Sequence, residues 1–144
     1  MKKVLAMDTS IFISALIGEA GASREILRRC LNGKYQPLMG TPLFHEYESV
    51  LQRANLFKNC PLSADQREDL LNAFISVCRW IHIYYLWRPN LKDEGDNHVL
   101  ELAIAGNATA IVTKNTKDFK NGQLIFPGIH ILKPEQLLKE DEGA

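Results

Sequence analysis

The sequence predicts an α/β fold, a small parallel sheet flanked by helices on both faces. Three observations carry this. Short apolar runs that read as buried strands alternate with longer segments that read as helices, which is the pattern of a parallel sheet. The first run, Val4–Met7, is apolar at consecutive positions, as a strand covered on both faces must be. The chain has 144 residues, of which 46% are hydrophobic, enough for the core of one domain. The expectation is a single domain over residues 1–144, with an ordered core from about 3 to 139.

The elements follow in order. Val4–Met7 is the first strand. Ser10–Ile17 is apolar enough for a buried helix and closes near Gly18. The stretch GEAGAS reads as a loop, with Ser23 as the cap of a second helix, Arg24–Leu31, stopped by Asn32-Gly33. Tyr35–Met39 is a candidate strand, weakened by Pro37. Thr41-Pro42 supplies an N-cap and a first helical residue for a helix reaching about Ala54. Asn55–Leu62 is a loop. Ser63 and Gln66 form a capping box before the helix Ala64–Cys78. Trp80–Trp87 alternates Ile, Tyr and Trp and reads as a strand. Asp93 or Glu94 opens a helix that ends at Gly106. Ala110–Thr113 is a strand, Lys114–Gly128 mostly loop, and Ile129–Leu132 a last strand. Pro134 then starts a short terminal helix, Glu135–Lys139.

Composition excludes several classes. Charged residues make up 24%, which is ordinary for a folded domain, and disorder is not expected. Lys plus Arg and Asp plus Glu are equal at 17 each, so a nucleic-acid partner would have to meet a local basic patch. Cys30, Cys60 and Cys78 are odd in number and hold no C-x-x-C pair, which argues against a disulfide framework. The apolar run after the first lysines is broken at Asp8, too early for a signal peptide, and no run approaches the ~18 residues of a membrane span. A cytoplasmic protein without a membrane partner is expected.

The chemistry lies in the acids. In open parallel sheets, sites form beyond the carboxyl ends of the strands. Asp8 follows the first strand directly, and Thr113, Asn115 and Asp118 close or follow the Ala110–Thr113 strand, so both groups should share one sheet edge. Read alone, Asp8 before Thr9-Ser10 is good helix-capping chemistry, and Asn115 with Asp118 suits an Asx turn. In the third helix, Leu43, Tyr47, Val50, Leu51 and Ala54 form the apolar face. Glu46 and Glu48 fall on its opposite flanks, and periodicity prefers Glu46 only modestly. Asp93, Glu94 and Asp96 crowd the start of a largely buried helix. There they complement the helix dipole, and a divalent cation would relieve their repulsion. Hard oxygen ligands of this kind suit Mg²⁺ or Mn²⁺. No Ser-His-Asp triad is evident, and His45, His82, His98 and His130 lack zinc spacing. Lys114, Lys117 and Lys120 beside the acids are candidate ligands for nucleic-acid phosphates; Arg24, Arg28, Arg29 and Lys34 form a second basic group, for which a solvated face is the favoured reading.

Taken in order, VLAMDTSIFISAL, TPLFHEYESVLQR, KDEGDNHVLELAIAGNATAIVTKNTKDF and the closing strand-Pro-Glu-x-Leu-Leu segment resemble the PIN domain, and within it the VapC-like toxin ribonucleases. The likeness covers nearly the whole chain. It implies a small parallel sheet with flanking helices and an acidic cluster that binds Mg²⁺ or Mn²⁺ for endoribonuclease activity on RNA. By position, the catalytic and metal-binding acids would be Asp8, Glu46, Asp96 and Asp118, with Asp93 as a further metal ligand. Thr9, Ser10, Thr113 and Asn115 match supporting polar positions. The likeness selects Glu46 over Glu48. It also implies a cognate antitoxin that binds the toxin and blocks the acidic cleft. Homodimers are common in the family; the apolar Trp80–Trp87 and Ala64–Cys78 segments could offer such a surface, and core burial explains them equally well. Two departures stand out: Gly95 replaces a frequent acid, and Asn115 stands where many relatives have Asp. They keep open a PIN-fold RNA-binding or scaffold module with a degraded, inactive metal site. A receiver-type phosphotransfer domain is disfavoured, because no Asp-x-Asp pair follows the first strand.

Overall fold

The computed structural model describes residues 2–18, 21–82, 94–120 and 126–142, and of 94–97 only the backbone. Its strands are β1 (Lys3–Met7), β2 (Tyr35–Met39), β3 (Arg79–Trp80), β4 (Ala110–Val112) and β5 (His130–Leu132). Its α-helices are α1 (Thr9–Ile17), α2 (Gly21–Leu31), α3 (Thr41–Leu51), α4 (Ala64–Val77), α5 (Glu94–Ala105) and α6 (Pro134–Glu142). Two 3₁₀ turns lie at Ala54–Phe57 and Thr116–Phe119, inside stretches expected to be loop.

The five strands form one sheet in the order β3-β2-β1-β4-β5, with every pair parallel. Consecutive strand residues face opposite ways, yet Leu5, Ala6 and Met7 are all buried. Helices therefore cover both faces, as expected. α5 packs on β1, β2 and β4, while α2 and α4 pack on β2. After β3 the chain crosses back over the sheet to place β4 beside β1. The strand order reverses there, so the β1/β4 boundary is the topological switch point.

Pro37 sits within β2 without breaking it. β3 pairs only with Leu38 and Met39, so Pro37 falls where that neighbour has not begun. Gln36 Nε2 fills the gap, donating to Pro37 O at 2.8 Å and Val77 O at 3.1 Å. The capping box forms as expected: Ser63 and Gln66 each accept the other's backbone N–H. Gly18 closes α1 with φ of 79°, a left-handed conformation that favours glycine, and Arg24 Nε donates to Ala15 O at that end.

Several expected boundaries move. α2 begins at Gly21, so Ser23 lies inside the helix, fully buried, and caps nothing. α3 takes Gly40 as N-cap, which shifts Thr41 and Pro42 one position into the helix, and it stops at Leu51. The strand expected over Trp80–Trp87 starts instead at Arg79, because Leu38 and Met39 of β2 offer a partner to Arg79 and Trp80. Ile81 and His82 are irregular, and 83–90 lie outside the described residues. α6 continues to Glu142. Among the described residues no helix is long and apolar enough to cross a membrane.

The extra length of α6 has a physical cause. Asp141 pairs with Lys3 Nζ at 2.7 Å, accepts from the Tyr35 hydroxyl and lies 3.6 Å from Arg29. Glu25 in turn binds Arg28 at 2.6 Å and Arg29 at 2.7 Å. This network ties α6 to the amino ends of β1 and β2. Burial works to raise the Asp141 pKa, but hydrogen bonds from Lys3 and Tyr35, with the Lys3 and Arg29 charges, hold it below the usual value. Hydrogen bonds from Arg28 and Arg29 hold Glu25 at about 2. Burial first, then Asp141, pushes Tyr35 up to about 12. A carboxylate whose folded pKa lies below its unfolded value stabilises at neutral pH and loses that contribution in acid. Asp141→Asn is therefore expected to lower the unfolding free energy at pH 7 by about 1–3 kcal/mol. The gap from the parent protein should narrow as pH falls below about 4, where the unfolded carboxyl takes up its proton. Urea denaturation of both proteins at a series of pH values checks this; a gap constant down to acid pH would contradict it.

Candidate functional site

Asp8 occupies the N-cap position of α1 with extended backbone, φ −61° and ψ 148°, yet its side chain caps nothing. It turns across the switch point instead. The Thr113 hydroxyl, at the end of β4, donates to Asp8 Oδ2 at 2.8 Å. Ser10 Oγ donates to the same oxygen at 3.3 Å. Asp8 N meets Val112 O at 3.0 Å and Thr113 N meets Leu132 O at 3.0 Å, so the backbone pairing runs one residue beyond each strand. The side chains are thereby held at the sheet's carboxyl edge.

Thr113 is completely buried and its polarity is fixed. It accepts the Asn115 N–H at 3.1 Å and spends its single proton on Asp8. Thr9 Oγ1 lies 3.0 Å from Glu46 Oε1 and 3.4 Å from Asp8 Oδ1. One hydroxyl carries one proton, and the shorter contact is with Glu46. Asp8 Oδ1 is then the oxygen with the weakest hydroxyl support and the one best placed to accept a cation. Neither Thr9 nor Ser10 is the N-cap of α1. Both hydroxyls serve the carboxylates.

Glu46 and Glu48 part company here. Glu46 is half-buried and reaches Thr9. Glu48 is exposed, pairs with His45 at 3.5 Å and lines a groove of about 370 Å³ beside α4. Two adjacent residues of α3 address the end of β1. Glu46 bonds Thr9, and the Tyr47 hydroxyl donates to Met7 O at 2.8 Å. The sequence reading placed Tyr47 only on the apolar face. The signal available was chemical: a tyrosine on a core face needs a partner for its hydroxyl. Burial first, then the nearby Cys78, Asp8, Cys30 and Glu46, keeps its pKa well above the usual value, so it remains a donor.

Asp118 and Asn115 lie on the same edge by chain position. Asn115 is exposed and caps the 3₁₀ turn Thr116–Phe119 without a side-chain bond. Buried Phe119 anchors the turn and leaves Asp118 exposed. The Asp118 N–H donates to Asn115 O at 3.1 Å within the turn. Lys114, Lys117 and Lys120 are exposed around it. α5 ends at Ala105, and Gly106 to Thr109 lead to the amino end of β4. Its first turn, which carries Asp96, therefore lies toward the carboxyl edge. The side chain of Asp96, and all of Asp93, fall outside the described residues.

Among the described residues no cluster of three or more acids, histidines or cysteines is ready to hold a metal. The donors that do converge are Asp8, Glu46 and the hydroxyls of Thr9, Ser10 and Thr113, all hard oxygens. Such a set fits Mg²⁺ or Mn²⁺, which need only one or two carboxylates, better than zinc.

Comparison with known proteins bears on the fold and the family. No curated protein matches the chain. A chain in the crystal structure of VapBC2 from Rickettsia felis, bound to a DNA fragment from their promoter, is similar in fold. Its TM-score is 0.58 at 16% identity, over 90% of this chain and 98% of that one. The PIN domain family model matches residues 4–117, which contain the β1 edge, α3, α5 and β4. The chain belongs to the PIN domain family.

Proposed function

We propose that this PIN-domain chain is a metal-dependent endoribonuclease that cleaves cytoplasmic RNA as the toxin of a toxin–antitoxin pair. The Asp8–Thr9–Glu46 arrangement at the switch point carries the reading: two carboxylates on different elements flank one hydroxyl at the edge where open parallel sheets bind ligands. Asp8, Glu46, Asp96 and Asp118 are the proposed catalytic acids and metal ligands, with Asp93 as a further ligand. A bound Mg²⁺ or Mn²⁺ would make a water more acidic and offset charge on the phosphodiester.

The chain's own residues have distinct tasks in this reading. Thr113 and Ser10 hold Asp8 Oδ2, which would leave Oδ1 to bind a cation. Thr9 fixes the Glu46 carboxylate. Asn115, through its backbone N–H, sets the polarity of Thr113. Lys114, Lys117 and Lys120 would take RNA phosphates at the rim, which lets a protein of zero net charge bind a polyanion. The likeness to a chain of a VapBC2 complex supports an antitoxin as protein partner.

With RNA and Mn²⁺, the parent protein should cleave, and EDTA should stop it. Asp8→Asn and Asp96→Asn should each lose far more than the about 10- to 100-fold typical of altered metal surroundings. Their melting temperatures should stay close to that of the parent. Wild-type cleavage by either variant would overturn the assignment. RNA binding by the parent without Mn²⁺-dependent cleavage would instead favour a binding module, the reading that Gly95 and Asn115 keep open. Lys114→Ala with Lys117→Ala should weaken RNA binding evenly across sequences. Each lost phosphate contact should flatten the slope of log affinity against log salt by about 0.7. An unchanged slope would remove these lysines from the interface.

A further inference from the structure

The β1–β2 ladder and the candidate site meet at one unusual backbone carbonyl. The last residues that β1 and β2 pair are Leu5 and Pro37, so Met7 O lies beyond that ladder. Met7 is itself buried, and a buried carbonyl without a partner is costly. The Tyr47 hydroxyl, itself buried, supplies the bond at 2.8 Å. The next residue back on α3, Glu46, bonds Thr9. Two neighbouring residues of one helix thus grip positions 7 and 9, and Asp8 stands between them.

The Tyr47 ring is held from two sides. Phe12 meets it edge-on with centroids 5.3 Å apart, and Phe74 packs at 5.9 Å. Phe12 belongs to α1, the helix that begins at Thr9. The hydroxyl is therefore a fixed strut between α3 and the end of β1.

We propose that Tyr47 is a positioning residue, whose hydroxyl on the Met7 carbonyl sets the distance between the Asp8 and Glu46 carboxylates and so the affinity for a divalent cation. The inference rests on the metal-site reading above. Carboxylates that hold a cation must keep their geometry within about 0.5 Å. Without the strut, the end of β1 can slide against α3 while both acids remain present.

The test measures Mn²⁺ affinity, by calorimetry and by the Mn²⁺-induced rise in melting temperature, for three proteins. These are the parent, Tyr47→Phe, and Leu137→Ala as a control that loosens the buried face of α6 without touching the site. Tyr47→Phe keeps the ring and should fold. Its Mn²⁺ dissociation constant should rise about 10- to 100-fold, the usual effect of disturbing a group that orients a ligand. Leu137→Ala should melt earlier, with Mn²⁺ affinity unchanged. Parent-like affinity in Tyr47→Phe overturns the inference. So does an equal loss in Leu137→Ala, since general loosening would then explain both. A Tyr47→Phe chain that does not fold also overturns it, because the hydroxyl would then serve the fold and not the site. A parent protein that binds no Mn²⁺ fails the metal reading itself, and that result is distinct from all the others.

Discussion

The hydrogen bond from Thr113 to Asp8 is the constraint on which the rest of the site depends. It joins residues 105 apart in sequence and exists only because β4 lies beside β1. That adjacency requires the chain to leave β1, build β2 and β3 on one side, and cross back along α5. Every apolar residue buried under α5, such as Val99, Leu100, Leu102 and Ala103, therefore helps to hold the Thr113 hydroxyl in place. Bringing the two residues together carries the closure entropy of a long loop, which the packing of the intervening elements must offset.

The bond also decides what Asp8 can do. A half-buried carboxylate requires compensation. At the amino edge of the same sheet, acids are compensated by cations: Asp141 by Lys3, and Glu25 by Arg28 and Arg29. At the carboxyl edge, the partners of the Asp8 carboxylate among the described residues are hydroxyls. Neutral donors hold the carboxylate in position and leave its charge in place. The two edges divide the labour. One spends its charge on holding α6, and at the other the described partners of the Asp8 carboxylate are neutral hydroxyls.

Much of this was legible in the sequence, and the reasons differ by residue. Asp8 and Thr113 could be assigned to one edge because consecutive apolar residues identify a doubly covered strand, and parallel strands align their carboxyl ends. The Ser63–Gln66 cap was legible because it is a local bond between near neighbours. Ser23 misled because capping residues also fit inside helices, and the start of α2 depends on packing against α1. Thr41 misled by one position, since Gly40 has the extended backbone that an N-cap needs. β3 began earlier than its aromatic composition suggested because the register of β2 fixes strand limits, and register is non-local.

Tyr47 shows what a pattern reading leaves out. Periodicity placed it in the core, and it is in the core. What periodicity could not supply was the unmet carbonyl at Met7, which arises only because β1 outruns its ladder with β2. The same strand therefore does two things at its end. On the β4 side it keeps pairing, through Asp8 N and Val112 O, and aligns Asp8 with Thr113. On the other side the ladder has stopped, and α3 takes over with Tyr47 and Glu46. Sheet and helix thus fix the backbone around Asp8 from opposite sides. A carboxylate on a free loop would follow a cation; in the proposed metal site, a bound cation would have to fit a distance set by the core.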